Sequence, residues 1–498
     1  MRIFLLNTLA AVLITACNTP KTEIQKMEPG ISEAYRSFYH FTPPAAWMND
    51  PNGMVWYDGE YHLFYQHYPD STVWGPMHWG HAVSKDMIHW EHLPIALYPD
   101  KYGYIFSGSA VVDHENTSGF GSAGNPAMVA IFTYHDMDAE KRGETGYQTQ
   151  GVAWSTDKGR TWNKYAGNPV LTAPAIKDFR DPKVIRHESS KKWIMALAVG
   201  DHIEFFSSSD LKAWKKESEF GKEVGAHGGV WECPDLFPLT DESGKTKWVL
   251  LVSINPGGPQ GGSATQYFVG DFDGKKFTPD NIQSRWIDDG ADNYAGVTWS
   301  DIPSGDGRRL FLGWMSNWQY SQIVPTQTWR SAMTVPRSLR LLKKSGYYEL
   351  QSEPVAELNS IAGAIENLNG SASLEQMSAR FEFKVENSEP FSFILSNDSS
   401  EQTVLKWDGS RLKFDRRNAG LSDFSEAFAA EHQADMTGVV PQQLTIYVDQ
   451  SSVEAFVNNG ERVMTEIVFP RTPYNRVTLE KKSADFTRAY IPNIFQKK

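Results

Sequence analysis

A short apolar run typical of β-strands recurs five times in the first 340 residues, at intervals of about 55 to 67 residues. The runs are YHLFYQ from Tyr61, MVAIFTY from Met128, WIMALAV from Trp193, WVLLVSI from Trp248 and LFLGWM from Leu310. Repeats of this length mark β units that bury their apolar faces only against one another. The repeat therefore predicts an all-β fold, and its simplest form is a five-bladed β-propeller.

A second segment precedes each apolar run and is separated from it by a turn-rich hairpin signal. The five segments are WMNDPNG from Trp47, IFSGSA from Ile105, FRDPKVI from Phe179, WECPDLF from Trp231 and DNYAGVTW from Asp292. Because each stands at the same place in its repeat, we expect it to form the innermost strand of its blade. Innermost strands converge on one axial funnel, which would bring Asp50, Asp181 and Glu232 together.

These three acids all lie close to a proline. Asp50 and Asp181 directly precede one, and Glu232 is separated from Pro234 by a single residue. Asp-Pro and Asn-Gly are ordinary turn dipeptides, so any one of these acids alone is explained as part of a turn. Their common position in the repeat instead predicts one site assembled from three blades.

A third pattern follows the apolar runs in four of the repeats. It reads SKDMIHW from Ser84, STDKGRTW from Ser155, SSDLKAW from Ser208 and DFDGKKF from Asp271, each with an aspartate followed four or five residues later by an aromatic residue. We expect these segments to form the turns before the outer strands, with the aromatic ring packed between blades. No chemistry is assigned to them.

The pattern changes after Pro336. From about Ser371 onward, segments such as ARFEFKV, FSFILS, QQLTIYVD and SVEAFVN alternate apolar and polar residues between turn residues, which is typical of an antiparallel β-sandwich. We place the propeller at 37–340, a linker at 341–370 and the sandwich at 371–498. The sandwich has no concentrated aromatic or carboxylate cluster, so we interpret it as a stabilising module, with glycan binding as the alternative.

The amino terminus has the character of an export signal. Arg2 is followed by an apolar run, small residues and Cys17, a pattern that resembles a bacterial lipoprotein signal. The run is shorter than the ~20 residues that cross a bilayer. We predict a signal peptide at 1–16, a lipid anchor on Cys17 and a polar tether at 17–36, which gives an extracytoplasmic protein held at a membrane, on the periplasmic face or the cell surface. The alternative is an ordinary secretory signal.

Length and charge limit the remaining possibilities. A chain of 498 residues is too long for one ordinary core, so two domains are expected. The formal net charge of -12 is spread along the chain, and without a basic stripe nucleic acid is not expected as a partner. The only cysteine besides Cys17 is Cys233, so we expect no intramolecular disulfide in the mature protein.

WMNDPNG, FRDPK and WECPDLF, in this order, resemble the three signature motifs of glycoside hydrolase family 32, the β-fructofuranosidases, which include invertases, inulinases and levanases. The resemblance extends over roughly residues 37–491. It implies that Asp50 is the nucleophile, that Glu232 is the general acid/base and that Asp181 stabilises the transition state by binding sugar hydroxyls. It also implies a fructan, fructo-oligosaccharide or sucrose as the substrate, and no cofactor.

Further positions match the fructose-binding residues of the family. The resemblance implies this role for Trp47, Asn49, Gln66, Trp74, Phe106, Ser107 and Arg180. In GWMSNWQY, Trp314 and Trp318 are candidates for stacking on an outer sugar, and core packing is an equal alternative for each. No metal site is expected, because His78 and His81 would share a ligand face only on a helix.

The chemistry of these residues fits the implied roles. Asn49 can donate its amide to the Asp50 carboxylate and hold it ionised. Trp231 and Cys233, the apolar neighbours of Glu232 in the sequence, would favour its protonated form, as a proton donor requires. A Cys233 that packs beside Glu232 is favoured over a reactive thiol.

Three other functions compete with fructan hydrolysis. A lectin propeller would have no reason to hold three acids at equivalent positions. A sialidase-like enzyme would need several arginines and a tyrosine nucleophile, and only Arg180 lies in a signature motif. A fructosyltransferase would keep the same carboxylates and stays open. We expect exo action with release of fructose, with endo action as the alternative, while the β2,6, β2,1 or sucrose preference depends on loops that the sequence does not define.

Overall fold

The structure, a computed structural model, describes residues 33–495. The predicted signal peptide at 1–16, Cys17 and residues 18–32 of the predicted tether lie outside this part of the chain. From Ala34 onward the chain forms one compact unit. The regular secondary structure of the described residues is almost entirely β-strand, and five propeller blades followed by a two-sheet sandwich confirm the predicted fold class.

The blades are antiparallel sheets whose main strands run in sequence order from the centre to the rim. Blade 1 comprises β1 (Ala46–Tyr57), β2 (Glu60–Tyr68), β3 (His78–Ser84) and β4 (Trp90–Leu97). Blade 2 comprises β5 (Tyr104–Asp113), β6 (Ala127–His135), β7 (Gln148–Ser155), β8 (Asn163–Lys164) and β9 (Leu171–Thr172), with helix α1 (Met137–Lys141) between β6 and β7. Blade 3 comprises β10 (Phe179–His187), β11 (Lys192–Val199), β12 (His202–Ser208) and β13 (Lys215–Phe220).

The last two blades have additional short strands. Blade 4 comprises β14 (Val230–Thr240), β15 (Thr246–Asn255), β16 (Ala264–Phe272), β17 (Phe277–Pro279) and β18 (Arg285–Trp286). Blade 5 comprises β19 (Tyr294–Thr298), β20 (Arg309–Met315), β22 (Ala332–Met333), β23 (Arg337–Lys343) and β24 (Tyr348–Pro354). Strand β21 (Trp329–Arg330) leaves blade 5 and pairs in parallel with β1, so the end of the propeller is hydrogen-bonded to its beginning.

The five innermost strands are β1, β5, β10, β14 and β19, as the repeat predicts. Each contains an extra residue against its neighbour, directly after Met48, Ile105, Arg180, Glu232 and Tyr294 respectively, and β1 contains a second one after Asn52. An extra residue of this kind is a β-bulge, which bends the strand and redirects the side chains beside it. The three acidic motifs therefore lie at equivalent places in their blades.

The aspartate-containing turns have the structural role that the sequence predicts. They connect β3 to β4, β7 to β8, β12 to β13 and β16 to β17. Trp162 of blade 2 packs edge-on against Phe64 of blade 1, with 5.5 Å between ring centroids. Phe277 of blade 4 packs in the same way on Phe220 of blade 3, at 5.1 Å. The aromatic rings thus seal neighbouring blades.

The segment predicted as a linker, 341–370, begins inside the propeller. Strand β24 and the end of β23 lie in it as the outer strands of blade 5, followed by the 3-10 helix Ala356–Ser360. Outer strands have one face in solvent, so RLLKKSGYYELQ lacks the continuous apolar run by which the inner strands were recognised.

The sandwich contains two six-stranded sheets. Its strands are β25 (Glu366–Asn369), β26 (Ser371–Ser373), β27 (Ala379–Lys384), β28 (Phe391–Ser396), β29 (Gln402–Trp407), β30 (Leu412–Asp415), β31 (Glu431–Ala434), β32 (Gln443–Asp449), β33 (Ser452–Val457), β34 (Arg462–Ile467), β35 (Arg476–Glu480) and β36 (Asp485–Tyr490). One sheet has the order β25-β36-β27-β32-β33-β34 and the other β26-β35-β28-β29-β30-β31. Strand β34 is an edge strand of the first sheet and lies against the propeller.

Buried charges join the sandwich to the propeller. Arg337 of β23 donates to Asp288 at 2.9 Å and to Glu454 of β33 at 2.5 Å. His40 lies between Asp449 and Glu454, at 2.8 Å from each. Burial opposes the positive charge of His40, but the hydrogen bonds to the two acids outweigh it and raise its pKa to about 9. Removal of one partner from such a set leaves an uncompensated buried charge, which is strongly destabilising.

Two buried histidines in blade 1 have lowered pKa values, in contrast to the raised pKa of His40. His62 Nδ1 lies 3.0 Å from His81 Nε2, and a hydrogen bond between two imidazoles requires one of them to accept. Burial, assisted by Arg160, lowers the pKa of His62 to about 3. Burial and the neighbouring His62 lower the pKa of His81 well below 6.5. Both rings are therefore neutral in the folded protein at neutral pH.

Replacement of His81 by Gln will make stability less sensitive to acid. The unfolded chain binds protons at both histidines below pH 6.5, whereas the folded chain does not, so each histidine costs ~1.4 kcal/mol of stability per pH unit as the pH falls. We expect the melting temperature of the His81→Gln variant, measured by calorimetry, to fall less steeply with pH than that of wild type. His114→Gln, at an exposed histidine, is the control. A slope equal to that of wild type for His81→Gln would contradict the assignment.

Candidate active site

The bulged ends of the innermost strands surround one cavity of about 230 Å³. Its lining residues are Asn49, Asp50, Gln66, Trp74, Phe106, Ser107, His135, Glu140, Gln148, Asp178, Arg180, Asp181, Glu232 and Trp318. The structure thus brings Asp50, Asp181 and Glu232 together on the walls of the same cavity. It also places six of the seven predicted substrate-binding residues there.

The Asp50 carboxylate is held by neutral donors. Ser107 Oγ donates to Asp50 Oδ2 at 2.6 Å, and Asn49 Nδ2 donates to Oδ1 at 3.0 Å. Trp47 Nε1 donates to Asn49 Oδ1 at 2.7 Å, which fixes the amide so that its NH₂ group faces Asp50. Burial raises the pKa of Asp50 and the charge of Glu232 adds to the rise, while the hydrogen bonds from Ser107 and Asn49 oppose it.

Trp47 contacts residues of the cavity wall but does not line the cavity itself. Its side chain is fully buried and is not among the residues that line the cavity. Its ring lies 5.9 Å from Trp318, in a stacked arrangement. The structure therefore places Trp47 behind Asn49 and Trp318, as a support for two residues that face the cavity.

Glu232 is flanked by the residues at the equivalent position in the two neighbouring blades. Arg180, directly before the bulge of blade 3, donates from Nη2 to Glu232 Oε1 at 3.1 Å. Tyr294, directly before the bulge of blade 5, donates its hydroxyl to Glu232 Oε2. Burial and the charge of Glu232 raise the pKa of Tyr294 well above its usual value, so the hydroxyl remains a donor. Both carboxyl oxygens of Glu232 thus have a fixed partner.

The expected apolar surroundings of Glu232 are not found. Trp231 is fully buried between blades, and its ring packs near Phe268 at 6.2 Å, on the other side of the strand. The Cys233 thiol faces two other acids, with Sγ at 3.5 Å from Asp50 Oδ2 and 3.7 Å from Asp181 Oδ2. Neighbours along a strand point in different directions, which is why the sequence neighbours of Glu232 are not its contacts.

Asp181 is oriented by the backbone of the next blade. The Cys233 N–H donates to Asp181 Oδ2 at 3.0 Å, and Arg180 Nε lies 4.0 Å from the same oxygen. Burial raises the pKa of Asp181, and the positive charge of Arg180 opposes that rise. Asp181 and Cys233 have positive φ angles of 63° and 45°, a conformation that residues other than glycine rarely adopt. The surrounding structure has to hold this backbone in place.

One wall of the cavity consists of polar residues that the sequence analysis did not identify. Asp178 accepts from Arg180 Nη1 at 2.6 Å, and Gln148 Oε1 accepts from the same nitrogen at 3.3 Å. His135 lies between Gln148 and Glu140, at 3.2 and 3.1 Å. Glu140 comes from α1, which has no counterpart in the other repeats. Only the N-cap Asp136 before α1 gives a sequence signal for this helix.

Aromatic rings also line the cavity. Phe106 stacks on His135 with 4.2 Å between ring centroids, and Trp74 packs edge-on against Phe106 at 6.0 Å. Of the two tryptophans in GWMSNWQY, Trp318 lines the cavity, whereas Trp314 is fully buried. The structure therefore separates the two alternatives, with Trp314 in the core and Trp318 available to a ligand.

Within residues 33–495, only one group of side chains has the spacing of metal ligands. It consists of His202, Glu204 and Glu219 in blade 3, away from the cavity. The Lys216 ammonium donates to Glu204 and lies 3.3 Å from Glu219, so the two carboxylates already have a cation as partner.

The family model for the glycosyl hydrolase family 32 N-terminal domain matches residues 40–354, and the model for the family 32 C-terminal domain matches residues 346–492. The chain belongs to glycoside hydrolase family 32. The two matches coincide with the propeller and the sandwich, so both parts of the fold, and not the acidic motifs alone, have the character of the family.

Individual relatives agree with this result. The chain is 50% identical to a levanase of Bacillus subtilis strain 168 over 460 residues, which cover 88% of this chain and 67% of that protein. It is 39% identical to an extracellular exo-inulinase of Aspergillus awamori over 488 residues, which cover 88% of this chain and 90% of that protein. The crystal structure of exo-inulinase from Aspergillus awamori superposes with a TM-score of 0.85 at 35% identity and covers 93% of this chain and all of the other.

Proposed function

We propose that this family 32 protein hydrolyses β-fructofuranosidic bonds with retention of the anomeric configuration. The observation that supports the proposal is the convergence of three acids from three blades on one cavity, each with a different set of partners. Retaining hydrolysis requires one ionised carboxylate that attacks the anomeric carbon and one acid that protonates the leaving oxygen. Because their hydrogen-bond partners differ, we assign the first role to Asp50 and the second to Glu232.

Asp50 is the proposed nucleophile. Its donors Ser107 at 2.6 Å and Asn49 at 3.0 Å are neutral groups that favour the ionised form and fix the direction of attack. Attack by the carboxylate on the anomeric carbon forms a covalent fructosyl intermediate and breaks the glycosidic bond. Water then releases fructose from this intermediate.

Glu232 is the proposed general acid/base. It gives its proton to the leaving oxygen in the first step and takes one from the attacking water in the second. Arg180 and Tyr294 each donate to one of its oxygens, so the ionised form left after the first step is stabilised in place. Both donors lie at the positions equivalent to Glu232 in the neighbouring blades.

Asp181 is the proposed partner of the sugar hydroxyls. The Cys233 N–H fixes one of its oxygens, which leaves acceptor capacity on the other. Hydrogen bonds to ring hydroxyls that strengthen as positive charge develops on the sugar lower the barrier. Asn49, Gln66, Trp74, Phe106 and Ser107 line the same cavity and are the proposed walls of the fructose site, with Trp47 as their support.

The cavity size favours attack at the end of a chain. Its volume of about 230 Å³ is below the roughly 300 Å³ at which pockets for drug-sized ligands begin. Such a cavity takes a terminal sugar more readily than the interior of a polymer. The relatives named levanase and exo-inulinase support a fructan as the substrate and exo action as the mode, with fructose as the product.

Product analysis tests the mode of action directly. On levan, inulin and sucrose, we expect free fructose to be the first product, without a transient series of oligomers, because one terminal unit enters the cavity at a time. Chromatography of early time points provides the measurement, and the three initial rates give the linkage preference. A ladder of short oligosaccharides at early times would show endo action instead.

Asp50→Asn and Glu232→Gln will each lower kcat at least ~100-fold while the fold is retained, because each keeps the shape of the side chain and removes one carboxyl function. Only Glu232→Gln should recover activity on substrates whose leaving group needs no proton. Circular dichroism shows whether the fold is intact. Detection by NMR of the inverted anomer as the first product would contradict the assignment of Asp50.

Ser107→Ala will move the acidic limb of the kcat/KM profile to higher pH. This limb reports the protonation of the nucleophile in the free enzyme, and the Ser107 hydrogen bond lowers the pKa of Asp50 against the opposing effect of burial. Its loss raises that pKa, so activity is lost at a less acidic pH. Ser109→Ala, at a serine that donates to the Pro182 carbonyl instead, is the matched control.

We further propose that a lipid on Cys17 holds the enzyme at a membrane outside the cytoplasm. The sequence before Cys17 supports this, as does the extracellular character of the Aspergillus awamori relative. Among residues 33–495 no helix has the length and apolar character needed to cross a bilayer. The anchor would leave the described residues free to meet a polymeric substrate.

Cys17→Ser will release the enzyme into the soluble fraction with unchanged specific activity. The change removes the acceptor of the lipid and lies outside the part of the chain that forms the catalytic cavity. Fractionation followed by immunoblotting measures the distribution, and hydrolysis of the preferred substrate measures activity. Continued association of the variant with membranes would show that another anchor exists.

A further inference from the structure

A segment of the propeller, residues 288–293, is bound along its length to the sandwich. The Asp289 N–H donates to the Val463 carbonyl at 2.8 Å, and the Asp292 N–H donates to the Thr465 carbonyl at 3.1 Å. In return the Ile467 N–H donates to Asp292 Oδ2 at 2.9 Å. The segment therefore follows the edge strand β34 of the sandwich and ends directly before β19, the innermost strand of blade 5.

Arg416 of the sandwich holds the carboxylate at the end of this segment. Its side chain is fully buried, and Nη1 donates to Asp292 Oδ2 at 2.6 Å. Nη2 donates to the Tyr320 hydroxyl at 2.8 Å, and this hydroxyl donates to Asp292 Oδ1 at 2.6 Å. Arg416 also pairs with Glu466 at 3.0 Å, which His432 contacts from the other side at 2.8 Å.

Asp292 is thereby the junction between the sandwich and two walls of the cavity. Two residues further along the chain, Tyr294 donates its hydroxyl to Glu232. Tyr320 belongs to the same turn as Trp318, which lines the cavity. Burial raises the pKa of Asp292 and the charge of Arg416 opposes that rise. Without Arg416, the buried Asp292 carboxylate would lose its charged partner. The free-energy cost of this unpaired buried charge would favour a rearrangement of the segment that contains Asp292.

We propose that Arg416 is a positioning residue for hydrolysis: through Asp292 and Tyr320 it fixes the start of β19, which carries Tyr294, and the turn that carries Trp318. The sandwich then contributes to catalysis without a residue in the cavity. The inference rests on the proposed function, because it takes Glu232 as the general acid/base. It goes beyond that function because it assigns a role in the reaction to the second domain.

Arg416→Met and Tyr320→Phe test the proposal. Misplacement of a catalytic group by a fraction of an ångström to an ångström lowers rates by up to ~100-fold, so we expect a roughly 10-fold loss of kcat for Arg416→Met and a smaller one for Tyr320→Phe. The alkaline limb of kcat should move to higher pH, because Glu232 loses the Tyr294 donor that stabilises its ionised form. If Arg416→Met does not fold, Tyr320→Phe decides, since it removes only one hydroxyl.

Arg488→Met is the matched control. Arg488 is also a buried arginine of the sandwich, and it donates to the Ser373 carbonyl and to Glu366, neither of which belongs to residues 288–293. We expect a lower melting temperature with kcat and the alkaline limb unchanged. The proposal is overturned if a folded Arg416→Met or Tyr320→Phe variant keeps the wild-type kcat and alkaline limb, or if Arg488→Met changes both in the same way.

A double-mutant cycle separates the failure of this inference from failure of the proposed function. If Arg416 acts through Glu232, Arg416→Met should cost little more once Glu232 is already Gln. Independent, multiplying effects would exclude a positioning role through Tyr294 and leave Glu232 as the acid/base. A Glu232→Gln variant with wild-type kcat would instead refute the proposed function itself.

Discussion

The extra residue in each innermost strand is the constraint on which the site depends. A regular antiparallel strand directs alternate side chains to its two faces, and in a propeller both faces pack against neighbouring blades. Neither face is open to the axis. The bulges after Met48, Ile105, Arg180, Glu232 and Tyr294 break this alternation in all five blades, and in blades 1 to 4 side chains beside the bulge line a common cavity.

The site also requires that the negative charges of its acids be balanced. The cavity collects the three acids Asp50, Asp181 and Glu232, and burial together with the charge of the neighbouring acids raises the pKa of Asp50 and of Asp181. The positive charge of Arg180 offsets part of this negative charge, because its guanidinium donates to Glu232 at 3.1 Å and to Asp178 at 2.6 Å. Its guanidinium presents donors in several directions, so one cation serves two walls of the cavity while Asp50 relies on neutral donors.

The repeat explains why so much could be predicted from the sequence. Equivalent positions in five copies predict a common axis, so the blade order and the meeting of the three acids required no knowledge of side-chain packing. The same register also aligns Tyr294 with Glu232 and Arg180, a signal for Tyr294 that was present in DNYAGVTW. By contrast, His135, Glu140 and Gln148 could not be found in this way, because they belong to the region around α1 that occurs in one blade only.

Local contacts were the part that the sequence did not reveal. Trp314 and Trp318 stand four residues apart in one motif, and only the end of β20 and the turn after it decide that the first is buried and the second faces the cavity. Cys233 is next to Glu232 in the chain, but the bulge turns its thiol toward Asp50 and Asp181. Both outcomes depend on side-chain directions, which composition does not encode.

Because β21 pairs in parallel with β1, the strand that carries Asp50 depends on a partner that is synthesised much later. Trp47 and Arg330 are partners in that pairing, and they are among the contacting residues of the propeller that are farthest apart in the sequence. A chain that leaves the ribosome, or crosses a membrane, amino terminus first therefore exposes the Asp50 strand long before its partner arrives. Contacts between residues so far apart form late and slowly, so the Asp50 strand is bonded on both of its edges only when nearly the whole propeller is available.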